Sequence, residues 1–232
     1  MCGRFTLTAG QRGALEDRFG ASLPEGGLER FNVAPTESIL AVASPREGKL
    51  LRWGLIPSWS RDLKGGAKMI NARSETVLEK RSFASLAESS SGRCLILADG
   101  FYEWLRSEDR KAPRQPFRFT VDGGAPFAFA GLWTRARIDG ERVESATILT
   151  TEANAVVGRL HDRMPVILPD GEAEAAWLAP GVTRAEALAL CRPLDARRMA
   201  AAPANPLVNK PDPDAEGPHL LDANEPGQAM FA

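Results

Sequence analysis

Apolar residues fall along this chain in short strand-length runs separated by polar, Gly- and Pro-containing turns, with only brief stretches of helical spacing. "RFTLT" near the start alternates as a strand. Thr8 and Gln11 then have capping-box spacing, which predicts a helix carrying Leu15 and Phe19 on one side and ending at Gly20. "SILAVAS" and "KLLRWGL" read as paired strands with "PREG" as their turn, and helical patterning returns across roughly 75–90 until "SSSG" closes it. Four β-rich runs follow, "CLILADGFYEWL", "PFRFTV", "PFAFAGLW" and "VESATILTT", with short helices predicted at 151–160, 170–178 and 183–191. From about Ala200 the chain becomes Pro-rich and acidic, which predicts a tail laid over the surface. No repeat or linker divides it. The pattern predicts an α+β fold: a single domain over 1–222 with a curved, mainly antiparallel, barrel-like sheet flanked by short helices, and a tail over 223–232.

Composition narrows the class. A chain of 232 residues, 44% hydrophobic and 25% charged, can bury a sizeable core. No apolar run approaches the roughly 18 residues of a membrane span, and the first twenty residues lack a secretory apolar stretch. A cytoplasmic protein with no membrane partner is expected. Cys2, Cys94 and Cys191 are odd in number and far apart, and the only histidines are His161 and His219, which argues against a disulfide framework and a zinc site. Cys94 in "RCLILA" reads as a buried strand residue and Cys191 after "AEALAL" as a helix core residue. The net charge of -1 gives no global attraction for nucleic acid. Residues 1–168 nevertheless hold 24 basic and 20 acidic side chains against 5 and 10 in 169–232, so any nucleic-acid face belongs to the first part.

Several residues can carry chemistry. Cys2 follows the initiator methionine; once Met1 is removed it presents an α-amine and a thiol on adjacent carbons. In "GFYEW", Glu103 shares a strand face with Phe101 and Leu105, so desolvation is expected to raise its pKa toward proton transfer near neutrality; an edge-strand glutamate reaching water is the ordinary alternative. His161 in "RLHDRMPV" follows a predicted helix, where it serves either as a proton carrier or as a capping residue. Asn71 in "MINARSET" either donates to a substrate or neighbour, or bonds its own backbone in a turn. Cys2/Arg4, Asn71/Arg73 and His161/Arg163 each place an arginine two residues after a candidate group, about 6.6 Å along an extended chain, which suits backbone phosphates. Trp59, in the proline-bounded loop "WGLIPSWSR", can stack on a base or pack in the core, the latter fitting Trp53 better. His219 is assigned no chemistry.

"MCGRF", "RFNVAP", "WGLIPSW", "INARSET", "CLILADGFYEW", "GLW" and "TTEANAVVGRLHDRMPVIL" occur in this order. The chain thereby resembles the SOS response-associated peptidase (SRAP) family, the abasic-site processing proteins, from Cys2 to about residue 210. The resemblance implies a mature N-terminal cysteine that cross-links to the ring-opened aldehyde of an abasic site in single-stranded DNA. It implies Cys2 as nucleophile, with Asn71, Glu103 and His161 in the catalytic set and Arg4, Arg73 and Arg163 on the DNA backbone. The segment "VNKPDPDAEG", with two prolines and extra acids, departs from the more basic stretch of relatives. An amine of pKa about 7.7–8.0 and a thiol of about 8.5 are both partly activated at neutral pH, and together they can close a five-membered thiazolidine on the aldehyde. Glu103 then shuttles the proton, His161 assists at the sugar oxygen, and Asn71 holds the amine or a substrate oxygen. No metal or organic cofactor is expected, and the protein is expected to act as a monomer. Two other readings stand beside this one: a cysteine peptidase that removes its own Met1, and a non-covalent single-stranded DNA-binding module.

Overall fold

The computed structural model describes residues 2–8, 11–26, 29–105, 114–212 and 216–223. The first apolar run forms strand β1 (Phe5–Leu7), and helix α1 (Arg12–Phe19) buries Leu15 and Phe19 before stopping at Gly20, whose φ of 58° is the left-handed cap. The predicted capping box does not form. Gln11 is the N-cap without a side-chain bond, and the Thr8 hydroxyl instead donates to Asp99 Oδ2 at 2.6 Å. Asp99 is buried and also accepts from Thr6 Oγ1 (2.5 Å), Thr8 N–H (2.5 Å) and Arg118 Nη2 (3.1 Å). A buried carboxylate without donors costs more than an uncapped helix end in contact with water, so it takes the threonine.

Strand β2 (Arg30–Val33) pairs with β1, and the hairpin of β3 (Ser38–Ala43) and β4 (Glu47–Trp53) forms as its pattern predicts, closing at Ala43 opposite Glu47. After β5 (Asn71–Arg73), the helical pattern of 75–90 resolves into a 3-10 turn at Ser74–Glu79, helix α2 (Ala84–Glu88) and a turn at Ser90–Gly92. The run expected as one strand from Cys94 to Leu105 splits at Asp99 into β6 (Arg93–Ala98) and β7 (Gly100–Trp104), which enter different sheets. Strands β8 (Pro116–Val121), β9 (Phe127–Ile138) and β10 (Glu141–Glu152) follow. Because β10 runs on to Glu152, the helix expected at 151–160 shrinks to a 3-10 turn at Val157–Arg159, ahead of β11 (Arg163–Pro165). Helices α3 (Gly171–Leu178) and α4 (Arg184–Ala189) stand where predicted, but Cys191 lies in the turn beyond α4, half-buried, rather than in a helix core.

The sheet order β10-β4-β3-β6-β9 is closed by pairing of β9 with β10, making a five-stranded barrel. A second sheet, in which β12 (Met199–Pro203) heads the order β12-β8-β7-β1-β2, is antiparallel throughout. Alternate residues explain both layers. Ile39, Ala41, Cys94 and Ile96 face a core shared with Phe5, Phe101 and Phe119 of the second sheet, while Leu40, Val42, Leu95 and Leu97 face Leu15, Ala87 and Trp177 of the helices. Strands covered on both faces read as unbroken apolar runs, as "SILAVA" and "CLILA" do.

The Pro-rich end is built into the fold rather than laid over it. Strand β12 (Met199–Pro203) pairs with β8 from Met199 opposite Val121 to Pro203 opposite Phe117. Beyond it Ala204, Val208 and Leu220 are buried around Tyr102. Of the tail expected at 223–232, all but Ala223 lies outside the described residues. Among the described residues no helix is long and apolar enough to cross a membrane.

Candidate active site

β10 is the strand that assembles the site. Its first half pairs with β9 and, in parallel, with the end of β4, where Ala146 faces Trp53. The chain then leaves β4 at Gly54, makes an excursion over residues 55–70 and returns as β5 on the same edge of β10, with Ile148 opposite Asn71 and Thr150 opposite Arg73. The base of this excursion is pinched. Leu55 N–H donates to Met69 O (3.1 Å), and Gly54 (φ 120°) approaches Gly66 so closely that a Cβ would meet its carbonyl oxygen at 2.5 Å. On the other edge, β11 sets Thr151 opposite Met164 and Glu152 opposite Arg163. One strand thus gathers "NAR" and "HDR", which are 90 residues apart in sequence.

The backbone before β1 brings in the thiol. Tyr102 N–H donates to Arg4 O (3.0 Å), which keeps residues 2–4 alongside β7. Asn71 Nδ2 donates to Cys2 O at 2.7 Å. Asn71 is therefore a strand residue reaching across to the cysteine's own carbonyl, not a turn asparagine bonded to its own backbone. Its Oδ1 is buried without a hydrogen-bond partner among the described residues.

Cys2 is 0% exposed and Glu103 only 4%. Burial raises the thiol pKa well above its ordinary value, and the nearby Glu103 carboxylate pushes it further the same way. Burial also raises the Glu103 carboxyl, with the charge of Asp162 adding to the effect. Thiol and carboxyl are desolvated together, which shifts each toward its neutral, protonated form. The face predicted for Glu103 is the one observed: Phe101 and Leu105 pack with it toward the main core, and Tyr102 and Trp104 toward the other side.

His161 follows the 3-10 turn, its N–H bonded to Val157 O at 3.0 Å. Its Nδ1 lies 3.0 Å from the N–H of Arg163 and 2.9 Å from Asp162 Oδ1, and one nitrogen cannot accept from the first and donate to the second. The amide is fixed by the backbone, whereas the Asp162 side chain is 76% exposed. The neutral ring therefore accepts from Arg163 and carries its proton on Nε2, and Asp162 pairs only with the imidazolium.

The three arginines differ. Arg73 is exposed. Arg4 is partly buried, donates to Gly3 O (2.8 Å), and is lowered in pKa chiefly by desolvation. Arg163 is already engaged: Nη1 and Nη2 form a two-pronged pair with Glu75 at 2.7 and 2.8 Å, and Nη2 also donates to Thr150 O at 2.7 Å. Glu75 went unnoticed in the sequence; its one signal there was being a carboxylate two residues after Arg73. Trp59 rides on the excursion, 48% exposed with the Arg81 guanidinium 4.6 Å above its ring, while Trp53 is fully buried. Cys94 is buried in β6, and His219 sits in the 3-10 turn at Pro218–Leu220, remote in sequence from the gathered strands. Among the described residues no group of three or more His, Cys, Asp or Glu is placed to hold a metal.

Comparison with known proteins agrees in extent with this arrangement. A family model described as SOS response associated peptidase (SRAP) matches residues 1–211. The chain is 42% identical to "Abasic site processing protein YoqW" of Bacillus subtilis (strain 168), with 97% of this chain and all of the relative covered. It is 36% identical to "Abasic site processing protein HMCES" of Xenopus tropicalis over 67% of this chain and 52% of that one. Among solved structures, a protein from Bacteroides thetaiotaomicron matches with a TM-score of 0.84 and 26% identity, covering 96% of this chain and 99% of the other.

Proposed function

The chain belongs to the SOS response associated peptidase (SRAP) family, and from that premise we propose that it processes abasic sites by covalent attachment of Cys2 to single-stranded DNA, acting as a monomer in the response to DNA damage. The observation that carries the reading is the placement of Cys2. Its carbonyl is held by Asn71 at 2.7 Å while its thiol lies buried within electrostatic reach of the Glu103 side chain.

After removal of Met1, the α-amine of Cys2 adds to the aldehyde carbon of the ring-opened sugar, its proton passing to the oxygen. Glu103, in its protonated form, which burial favours, gives its proton to that hydroxyl, which departs as water and leaves a protonated imine. The thiol then adds to the imine carbon, and its proton returns to Glu103. One C–N and one C–S bond form, one water is lost, and Glu103 ends as it began. The ring needs nitrogen and sulfur on adjacent carbons, so only an N-terminal cysteine suffices. Asn71 fixes the Cys2 backbone, so that amine and thiol meet one carbon without searching rotations. His161, with its proton on Nε2, serves the sugar oxygen. Arg73 and Arg4 hold the phosphates flanking the lesion, Arg163 adds a weaker contact because it is paired with Glu75, and Trp59 stacks on a neighbouring base.

Purified protein, with Met1 loss verified by intact mass, is incubated with an oligonucleotide carrying one abasic site. The expected product survives heat and detergent and has the summed mass of the two partners less one water. Peptide cleavage without an adduct would establish the cysteine-peptidase reading instead, and reversible binding alone the binding-module reading.

A further inference from the structure

We propose that Glu75 is a positioning residue for His161, acting through Arg163, and that it lowers DNA affinity as it does so. The inference rests on the cross-linking function proposed above. Glu75 belongs to the 3-10 turn that follows β5 and Arg163 to β11, so their ion pair reaches across β10 and ties the segment of Asn71 to that of His161. With both carboxylate oxygens and the Thr150 carbonyl occupied, the guanidinium is fixed in direction. The same residue's backbone N–H, 3.0 Å from His161 Nδ1, selects the imidazole tautomer. The pair with Arg163 holds Glu75 below the ordinary carboxylate range, so it is anionic wherever the reaction runs. A phosphate approaching Arg163 meets a cation that is already neutralised. Glu75 thus anchors, through the Arg163 guanidinium, the strand end whose amide faces the imidazole, and it withholds a positive charge from the DNA strand.

Affinity and chemistry should then move in opposite directions, which loss of fold or a general loosening does not produce. Glu75→Gln keeps the size of the side chain and removes the charge. Expected are about fivefold tighter binding of undamaged single-stranded DNA, the scale of one partly exposed charge pair, and a salt dependence steeper by about 0.7 in logarithmic slope. The adduct-forming rate at saturating abasic DNA should fall about tenfold, a part of what a positioned proton carrier supplies. Glu75→Asp, which retains the charge, should lie between the two. Because the chain has only two histidines, the imidazole 15N resonances of His161 can be read with His219 as internal reference. They should report the Nε2–H tautomer in the parent and a mixture in Glu75→Gln. Weaker binding by Glu75→Gln, an unchanged saturating rate, or an unaltered tautomer would overturn the inference. If Glu75→Gln does not fold, the same three measurements on Glu75→Asp decide it, with smaller shifts in the same directions required. A parent that forms no adduct would sink the function proposed above; the binding and 15N results would still test Glu75.

Discussion

The barrel interior and the rim where β1, β5, β7 and β11 converge are about equally dry, yet they differ in what they bury. Inside the barrel Phe5 packs edge-on against Trp53 (5.1 Å between ring centres) and Phe129 (5.8 Å), and the indole N–H of Trp53 has its acceptor in Ile70 O at 3.0 Å. The described buried groups there are mostly apolar, the Trp133 indole N–H, which has no partner among them, being an exception. At the rim the buried groups include a thiol, a carboxyl shifted toward its protonated form by desolvation, and an asparagine whose oxygen has no partner among the described residues. Burial in the first region stabilises the fold; in the second it costs stability and serves the proposed chemistry. Equal dryness therefore carries opposite signs in the two regions, and substitution can separate them.

The largest expected effect lies at the rim. Cys2→Ala should abolish the heat-stable adduct while leaving single-strand binding and the melting temperature close to the parent's; a full adduct yield would remove Cys2 from the mechanism.

Glu103→Gln is next. Loss of the proton carrier should slow adduct formation by about 10²–10⁴-fold, and the pH–rate profile should lose a limb. Stability should move the other way. With its folded pKa raised, Glu103 binds more protons in the folded than in the unfolded state. It therefore lowers stability progressively as pH rises from the unfolded value through the raised folded one. Glu103→Gln should flatten that decline and melt higher at neutral pH, each tenfold displacement of the proton equilibrium being worth about 1.4 kcal/mol. A variant that melts lower at neutral pH and cross-links at the parent rate would make Glu103 a structural residue.

In the barrel, Trp53→Ala should cost about 3–5 kcal/mol of folding stability, because it empties a fully buried site and removes one of the two hydrogen bonds that the Ile70 carbonyl accepts. Chemical denaturation measures this. A loss below about 1 kcal/mol would mean that the barrel does not rest on its interior as described.

The smallest effect belongs to Arg73→Ala on the exposed side of the rim. It should weaken single-strand binding by a similar factor for all sequences and make its salt dependence shallower by about 0.7 in logarithmic slope. Unchanged affinity and slope would separate Arg73 from the DNA.

How much of this was legible depended on how local each cause was. The β3–β4 hairpin was legible because turn and alternation lie within sixteen residues, Ser38 to Trp53. The face of Glu103 was legible because a strand's alternation is local, and burial of its apolar neighbours follows from their type. The α1 cap was misread because its threonine answers to Asp99, 91 residues away. The division of 93–104 between two sheets was hidden as well, since both halves are equally apolar and only their pairing partners differ.

The sequence by itself determined the elements, the apolar faces, and the inventory of Cys2, Asn71, Glu103, His161 and the arginines, since each follows from residue type and short-range spacing. Tertiary structure alone decided that β12 completes a sheet, that Asn71 reaches the carbonyl of Cys2, and that Arg163 is spoken for by Glu75. The physical reason is that strand pairing and ion pairing are contacts between distant segments. Hydrogen bonding along a strand edge accepts many partners, and the choice is made only when the whole barrel closes.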